Sequence, residues 1–435
     1  MLRHDYESWG RYFHFDHHVK FPAWTSEVNR AIQEASGSVL AFGKGRSYGD
    51  SCLNHGETLI DTKMLNRFIS FNKESGILRC EAGVTLEQIL NLILPFGWFL
   101  PVSPGTKFVT IAGAVANDVH GKNHHVKGTI GRHISWMSLL TSDGQIHQLT
   151  PDMDLFQATV AGMGLTGFIL EVEIRLIKEI GWFDTENIKF GGLDEFFQIS
   201  DESDRKFEYS MAWVDCISSG KSLGRGIFMR GNHSPDHSLP LKPVGQKLIV
   251  PFNFPELALS QPTITIFNHL FFHKQVSKIL KDTVHYEPFF YPLDMIHDWN
   301  KIYGKRGFFQ YQFVVPYSEK LALRDIFSRI ARSGMGSFLA VFKKFGDVPS
   351  PGLLSFPEPG YTLALDFANA GSKTDKLFHS LDRIIEEAGG RLYPAKDSKM
   401  TTSQFMSYYP KFEQFSRWID PKFSSSFLRR VTSHE

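Results

Sequence analysis

Three glycines in seven positions, Gly43, Gly45 and Gly49, are interleaved with Lys44, Arg46, Ser47 and Tyr48 and followed by Asp50 and Ser51. Glycine admits the left-handed conformations that turn successive backbone N–H groups to one side, so a loop of this kind can form a concave anion site. A phosphate-binding loop and a tight surface turn are both open readings. The two cations and the hydroxyl-bearing side chains speak for the first. A second cluster, Gly162, Gly164 and Gly167, fits the dinucleotide fingerprint letter by letter. Its context rejects it. Residues 168–176 alternate apolar and charged side chains as a strand does, whereas the fingerprint must open a helix whose N-terminus faces a pyrophosphate.

Small residues crowd the next candidate stretch. Ser103, Pro104, Gly105 and Thr106 precede Thr110, Ile111, Ala112, Gly113, Ala114, Val115, Ala116 and Asn117. Small side chains let a flat ring or a pyrophosphate approach the backbone, and ordinary tight packing uses them equally. The run leads into Asp118, Val119, His120, Gly121, Lys122, Asn123, His124 and His125. Three histidines on irregular backbone with no nearby cysteine or carboxylate pair make a poor ligand set, so no metal is expected. Hydrogen bonding to a cofactor or a sugar suits them better. Late in the chain Lys396 follows an apolar strand that includes Tyr393. Such a lysine is either a solvated surface residue or a fixed positive charge facing an electron-rich ring.

The elements that must hold these residues are partly visible. Residues 38–42 and 58–61 read as short strands. Thr85 with Gln88 forms a capping box for a helix whose apolar face is Leu86, Ile89, Leu90 and Ile93, ended by Pro95 and Gly97. Apolar runs on either side of 142–144 and period-two alternation over 167–177 signal an antiparallel sheet. From 181 to 390 the runs are longer and richer in aromatic residues. The clearest helix there spans 374–388, with Leu377, Leu381, Ile384 and Ile385 on one side and Gly389 and Gly390 closing it. The 25 residues 248–272 hold one charge, Glu256, and three prolines, Pro251, Pro255 and Pro262. The prolines exclude a membrane helix, so this reads as a loop, either packed on the core or dipping into a lipid surface.

At 435 residues, with 42% apolar content, the chain has material for two domains or one domain with a large insertion. Disorder as the main state is excluded. A net charge of +1 and scattered lysines and arginines leave no basic stripe for nucleic acid. Cys52, Cys80 and Cys216 are too few and too far apart for a disulfide framework, which favours a reducing compartment. The first 24 residues offer no signal-peptide core, and no run is long enough to span a bilayer. A cytoplasmic protein lying on the inner membrane is expected, with the periplasmic side left open. Ten of the 39 phenylalanines fall between Phe252 and Phe313.

Taken in order, residues 43–51, 103–106 and 120–125, then Gln310, Tyr311 and Gln312, then 341–346 and 392–398, resemble FAD-linked oxidases of the vanillyl-alcohol-oxidase type. The decaprenylphosphoryl-β-D-ribose 2′-oxidase family is the nearest in pattern. The resemblance implies an α+β fold: a two-part FAD-binding domain of the PCMH type, residues 1–179 and 391–435, and an inserted substrate domain on an antiparallel sheet, residues 180–390. It implies that Gly43, Lys44, Gly45, Arg46, Ser47, Tyr48, Gly49, Asp50 and Ser51 cradle the pyrophosphate. Gly105, Thr110, Ile111, Ala112, Gly113, Asn117, Asp118, Val119, His120, Ile169 and Tyr393 would surround the rest of the cofactor. Lys122, Trp213, Gln310, Gln312, Lys343, Phe345 and Lys396 would line the sugar side. Many relatives bond their flavin through a histidine where this chain has Arg46, so the FAD is expected to be non-covalent. Some close relatives carry a cysteine where this chain has Ala364, so reagents that attack that thiol should not label it.

The implied reaction removes a hydride from C2′ of a ribofuranose linked to a polyprenyl phosphate, giving the 2-keto sugar. This is the first half of an epimerisation to arabinose for the cell envelope, completed by a separate keto-reductase. Lys396 is the candidate for the positive group beside the ring, and Lys396, Tyr48 and His120 are candidates for the base that takes the hydroxyl proton. The runner-up is an oxidase of soluble alditols or aldonolactones. A third reading is a redox-inactive lipid-phosphate binding protein. With a lipid substrate, the phenylalanine surplus suggests aromatic contact with a membrane surface.

Overall fold

The computed structural model describes residues 2–236, 248–255 and 259–433. Near the N-terminus the strands Val39–Phe42 and His17–Lys20 both pair in parallel with Thr58–Asp61, whose residues are all buried. A five-stranded antiparallel sheet follows in the order Phe68–Asn72, Ile77–Glu81, Phe168–Arg175, Ile134–Leu140, Ile146–Leu149. This is the pairing that the alternation at 167–177 predicts. The helix Leu86–Ile93 starts at Thr85, whose Oγ1 accepts from the Gln88 N–H at 3.2 Å while the Gln88 side chain accepts from the Thr85 N–H at 2.8 Å. It buries the four predicted apolar residues, and Gly97 closes the following turn at φ 72°.

The third sheet has eight strands, in the order Ile279–His285, Trp182–Phe190, Gly226–His233, Tyr209–Val214, Ala340–Phe345, Gly360–Ala368, Phe308–Val315 and Arg391–Leu392, antiparallel throughout. Side chains alternate between its faces. Phe309, Tyr311, Phe313, Phe342, Leu363, Leu365 and Phe367 form a core with the helices Leu193–Ser203, Lys320–Ser333 and Ser372–Glu387. The last of these is the helix predicted at 374–388. The intervening residues of the central strands face the other way, and the site is built on them.

The segment 248–272 departs from expectation. Gln261–His273 is an α-helix, because Pro262 sits in its first turn, where the missing N–H has no intrahelical partner to lose. Glu256 lies outside the described residues. The helix buries Ile264 and Asn268 and leaves Ile266, Phe267 and Leu270 exposed. Among the described residues no helix is long and apolar enough to cross a membrane. The phenylalanine surplus divides: Phe289, Phe290, Phe308, Phe309 and Phe313 are core residues, whereas Phe252 and Phe267 are exposed.

Candidate functional site

The inward-facing residues of three adjacent strands make a polar floor. Gln310 lies directly opposite Asp366, both Gln312 and Val341 opposite Ala364, and Lys343 opposite Thr362. Register alone therefore brings together residues from distant parts of the chain. The Gln310 amide donates to Asp366 Oδ1 at 2.7 Å. The Gln312 amide reaches His120 Nε2 at 3.1 Å and Thr362 Oγ1 at 3.4 Å. With that nitrogen accepting, the proton of a neutral His120 sits on Nδ1. Lys343 Nζ donates to the Gly121 carbonyl at 2.7 Å.

Above this floor lies a cavity of about 330 Å³. Its far wall is the 43–51 loop and the helix Ile111–Ala116, which begins at Thr110 with its Oγ1 accepting from the Gly113 N–H at 3.2 Å. Lys396 enters from the sheet edge. The strand Arg391–Leu392 runs beside Phe308–Val315, and the Tyr393 N–H donates to the Gln312 carbonyl at 3.0 Å. The chain then turns back, with the Lys396 and Asp397 N–H groups both donating to the Tyr393 carbonyl at 3.0 Å. The turn is fixed to the loop by the Tyr48 N–H, which donates to the Ala395 carbonyl at 3.0 Å. Lys396 Nζ ends 4.0 Å from the centre of the Tyr48 ring. Tyr393 also donates its hydroxyl to the Asn117 carbonyl at 2.8 Å, tying the turn to the small-residue helix.

Most of the expected site residues meet on this cavity: Gly43, Lys44, Gly45, Arg46, Ser47, Tyr48, Ser51, Gly105, Thr110, Ala112, Gly113, Asn117, Val119, His120, Ile169, Tyr393, Gln310, Gln312, Lys343 and Lys396. Seven do not line it. Gly49 is pressed against the Asp397 backbone, where a Cβ would stand 1.5 Å from the carbonyl oxygen. Asp50 points behind the loop to Arg430, at 2.7 Å and 2.9 Å. Ile111 faces the core, and Asp118 accepts from Ser355 Oγ at 2.6 Å and the Gly131 N–H at 2.9 Å. Lys122 Nζ lies against Phe289 and Phe290, 3.4 Å from the Phe290 carbonyl. The Trp213 indole donates to the Phe338 carbonyl at 3.0 Å, and Phe345 packs edge-on against His120 with centroids 4.7 Å apart. Neighbours in sequence alternate faces, so a motif that touches a site does so with only some of its members.

Sequence reasoning passed over Asp366, Thr362, Trp9, Asp294 and Trp299, which also line the cavity. One signal was available: Asp366 is the only charged residue of the apolar strand Gly360–Ala368. Trp299 and Asp294 belong to short turns without a motif.

Burial sets the electrostatics. It pushes Lys396 down to about 7 against the pull of Asp366, and Lys343 down to about 7 with help from Lys122 and Lys396. It raises Asp366 to about 7, opposed by Gln310 and Lys396. His120 is driven well below its ordinary value by burial and then by Lys343, and burial lifts the Tyr48 phenol well above its own. Burial thus brings two amines and a carboxyl of the cavity toward the same range, about 7.

Residues 17–150 match the FAD binding domain family. The chain is 40% identical over 424 residues to the decaprenylphosphoryl-beta-D-ribose oxidase of Mycolicibacterium smegmatis, covering 93% of this chain and 91% of that protein. It is 30% identical over 369 residues to a Streptomyces coelicolor protein described as an uncharacterized protein in the mprA 5′ region, covering 80% of this chain and 100% of that one. Its likeness to the probable L-gulonolactone oxidase 4 of Arabidopsis thaliana, 32% identical, is confined to 128 residues, 27% of this chain and 22% of that protein.

The cavity suits FAD. Arg46 Nε and Ser51 Oγ are buried there without hydrogen-bond partners, donors that a pyrophosphate can satisfy. A Cβ at Gly43 would stand 2.6 Å from Thr110 Oγ1, and Gly45 has φ 58°, so both positions require glycine. The family and the geometry agree that FAD is the cofactor.

Proposed function

The chain belongs to the decaprenylphosphoryl-β-D-ribose oxidase family, and we propose that it oxidises the C2′ hydroxyl of a polyprenyl-phosphate-linked ribofuranose to the 2-keto sugar. The observation that carries this reading is the pairing of Lys396 with the floor of Gln310, Gln312 and Lys343 in one cavity, beneath the FAD-binding loop. Residues 1–179 and 391–435 hold the cofactor, and 180–390 hold the sugar. Arg46 stands where a covalent link would need a nucleophile, so the FAD is bound without one.

Bound FAD supplies the two-electron acceptor for the hydride that leaves C2′. The protein supplies the rest. Of the three candidate bases, burial holds the Tyr48 phenol well above its ordinary range and His120 well below its own, with Nε2 engaged by the Gln312 amide, whereas burial brings Lys396 down to about 7. Its free amine takes the hydroxyl proton, leaving the positive charge in a cavity of low dielectric. Gln312 and Lys343 donate to the sugar hydroxyls and the phosphate, with Lys122 behind them. The prenyl chain leaves toward lipid, and the exposed Ile266, Phe267 and Leu270 suit contact with the same membrane surface. The keto product passes to a separate reductase.

Anaerobic titration tests this. Polyprenyl-phosphoryl-ribose is expected to bleach the yellow flavin absorbance while free sugar alcohols leave it unchanged. Absence of bleaching by the lipid-linked sugar rejects the proposal.

A further inference from the structure

Asp366 borders two cavities. One is the cavity described above; the other, about 200 Å³, is bounded by Ser260, Gln261, Tyr303, Ser337, Phe338 and Lys373 among others. Of the two carboxylate oxygens, Oδ1 takes the Gln310 amide and Oδ2 has no hydrogen-bond partner. Tyr303, in the wall of the second cavity, has its hydroxyl buried with no other partner than the Asp366 carboxyl it faces. A carboxyl kept in a core, with an amide on one oxygen and a phenol facing the other, costs free energy, so its retention calls for a role. The second cavity has room for several waters.

The proposed oxidation releases one proton per turnover into a buried site, and Lys396 can hold it only until the next substrate arrives. We propose that Asp366 is the exit for that proton, carrying it from Lys396 past Tyr303 into the second cavity. The inference rests on the oxidase reading. The balance is simple. The alcohol loses a hydride to FAD and a proton to the Lys396 amine; the ammonium passes the proton to the Asp366 carboxylate. The carboxylic acid hands it to the Tyr303 oxygen, which releases its own proton to water. All three side chains return to their starting states. The other groups facing Asp366 are Gln310 and Tyr48 on the cofactor side, the Ser337 hydroxyl, 3.2 Å from the Asp366 backbone nitrogen, and exposed Lys373 at the far wall.

The experiment uses the FAD-loaded enzyme in stopped flow, with flavin absorbance and a pH indicator read together during one anaerobic turnover. In the wild type, proton release is expected to keep pace with bleaching. In Asp366→Asn, which preserves size and the link to Gln310, proton release is expected to lag by about 100-fold behind whatever bleaching the variant retains. Added formate, small enough for the second cavity, restores it. Tyr303→Phe gives a smaller lag and keeps the test available should the first variant fold poorly. Synchronous release in both variants, or a lag that formate does not shorten, overturns the proposal. A wild type that does not bleach at all rejects instead the oxidase reading beneath it.

Discussion

The guanidinium of Arg430 holds Asp50 through Nε at 2.9 Å and Nη2 at 2.7 Å, and its Nη2 also reaches Asp397 Oδ2 at 3.0 Å. One side chain of the helix Ser426–Thr432 therefore fastens the glycine loop to the turn that carries Lys396. Replacing Arg430 by Met leaves Asp50 buried with its charge unanswered, an expected loss of about 3–5 kcal/mol. Urea unfolding measures it. The double variant Asp50→Asn/Arg430→Met should recover much of the loss, and an unchanged double variant would show that the charge is not the cause.

Lys396→Met is expected to keep the FAD content of the wild type and to slow bleaching by about 10²–10⁴-fold, the range for a lost proton-transfer group. Wild-type bleaching in this variant removes the lysine from the chemistry. Lys343→Met should instead weaken the lipid-linked sugar's binding far more than the bleaching rate at saturation.

Stability should depend on pH with a sign set by Asp366. Its carboxyl holds a proton up to about 7 in the folded protein, whereas an unfolded chain releases it near about 3.9. Between those values the folded state binds more protons, so this contribution is full at low pH and is lost as pH rises through 7. Lys396 and Lys343, lowered to about 7, act oppositely above that pH: the unfolded chain binds more protons there, so stability rises toward about 10. Asp366→Asn should flatten the descent between about pH 4 and 7. Urea midpoints across that range decide, and a slope equal to that of the wild type counts against an Asp366 carboxyl protonated in the folded state.

Ile266→Ser together with Leu270→Ser, both on the exposed side of the helix Gln261–His273, should lower co-flotation with liposomes of anionic and neutral lipid while FAD content stays constant. Equal flotation would leave the apolar face without that role.

The readable parts of the site are those encoded over a few neighbouring residues. Glycine spacing at 43–51 and small residues at 110–117 have local causes, a required backbone conformation and a required close approach. So does the capping box at Thr85. Asp366 was hidden because its meaning depends on a cross-strand partner 56 residues away, Gln310. Trp213 and Asp50 were misplaced for the complementary reason: alternation along a strand, or a twist of a loop, turns a neighbour of a site residue away from the site. The helix Gln261–His273 is hard to see in the sequence because a proline inside a helix breaks it, whereas Pro262 stands in the first turn and starts it.

The lysine at the centre of the site hangs from a strand of two residues, Arg391–Leu392, that joins the sheet only after all its other strands have been made. During synthesis the chain runs from N- to C-terminus. A ribosome that has not yet delivered this strand, and the helix bearing Arg430, holds a nascent chain with floor and glycine loop but without the proposed base. Under the proposed mechanism chemical competence therefore arrives after the floor and the loop, and fragments truncated before residue 391 are expected not to turn over whatever they bind.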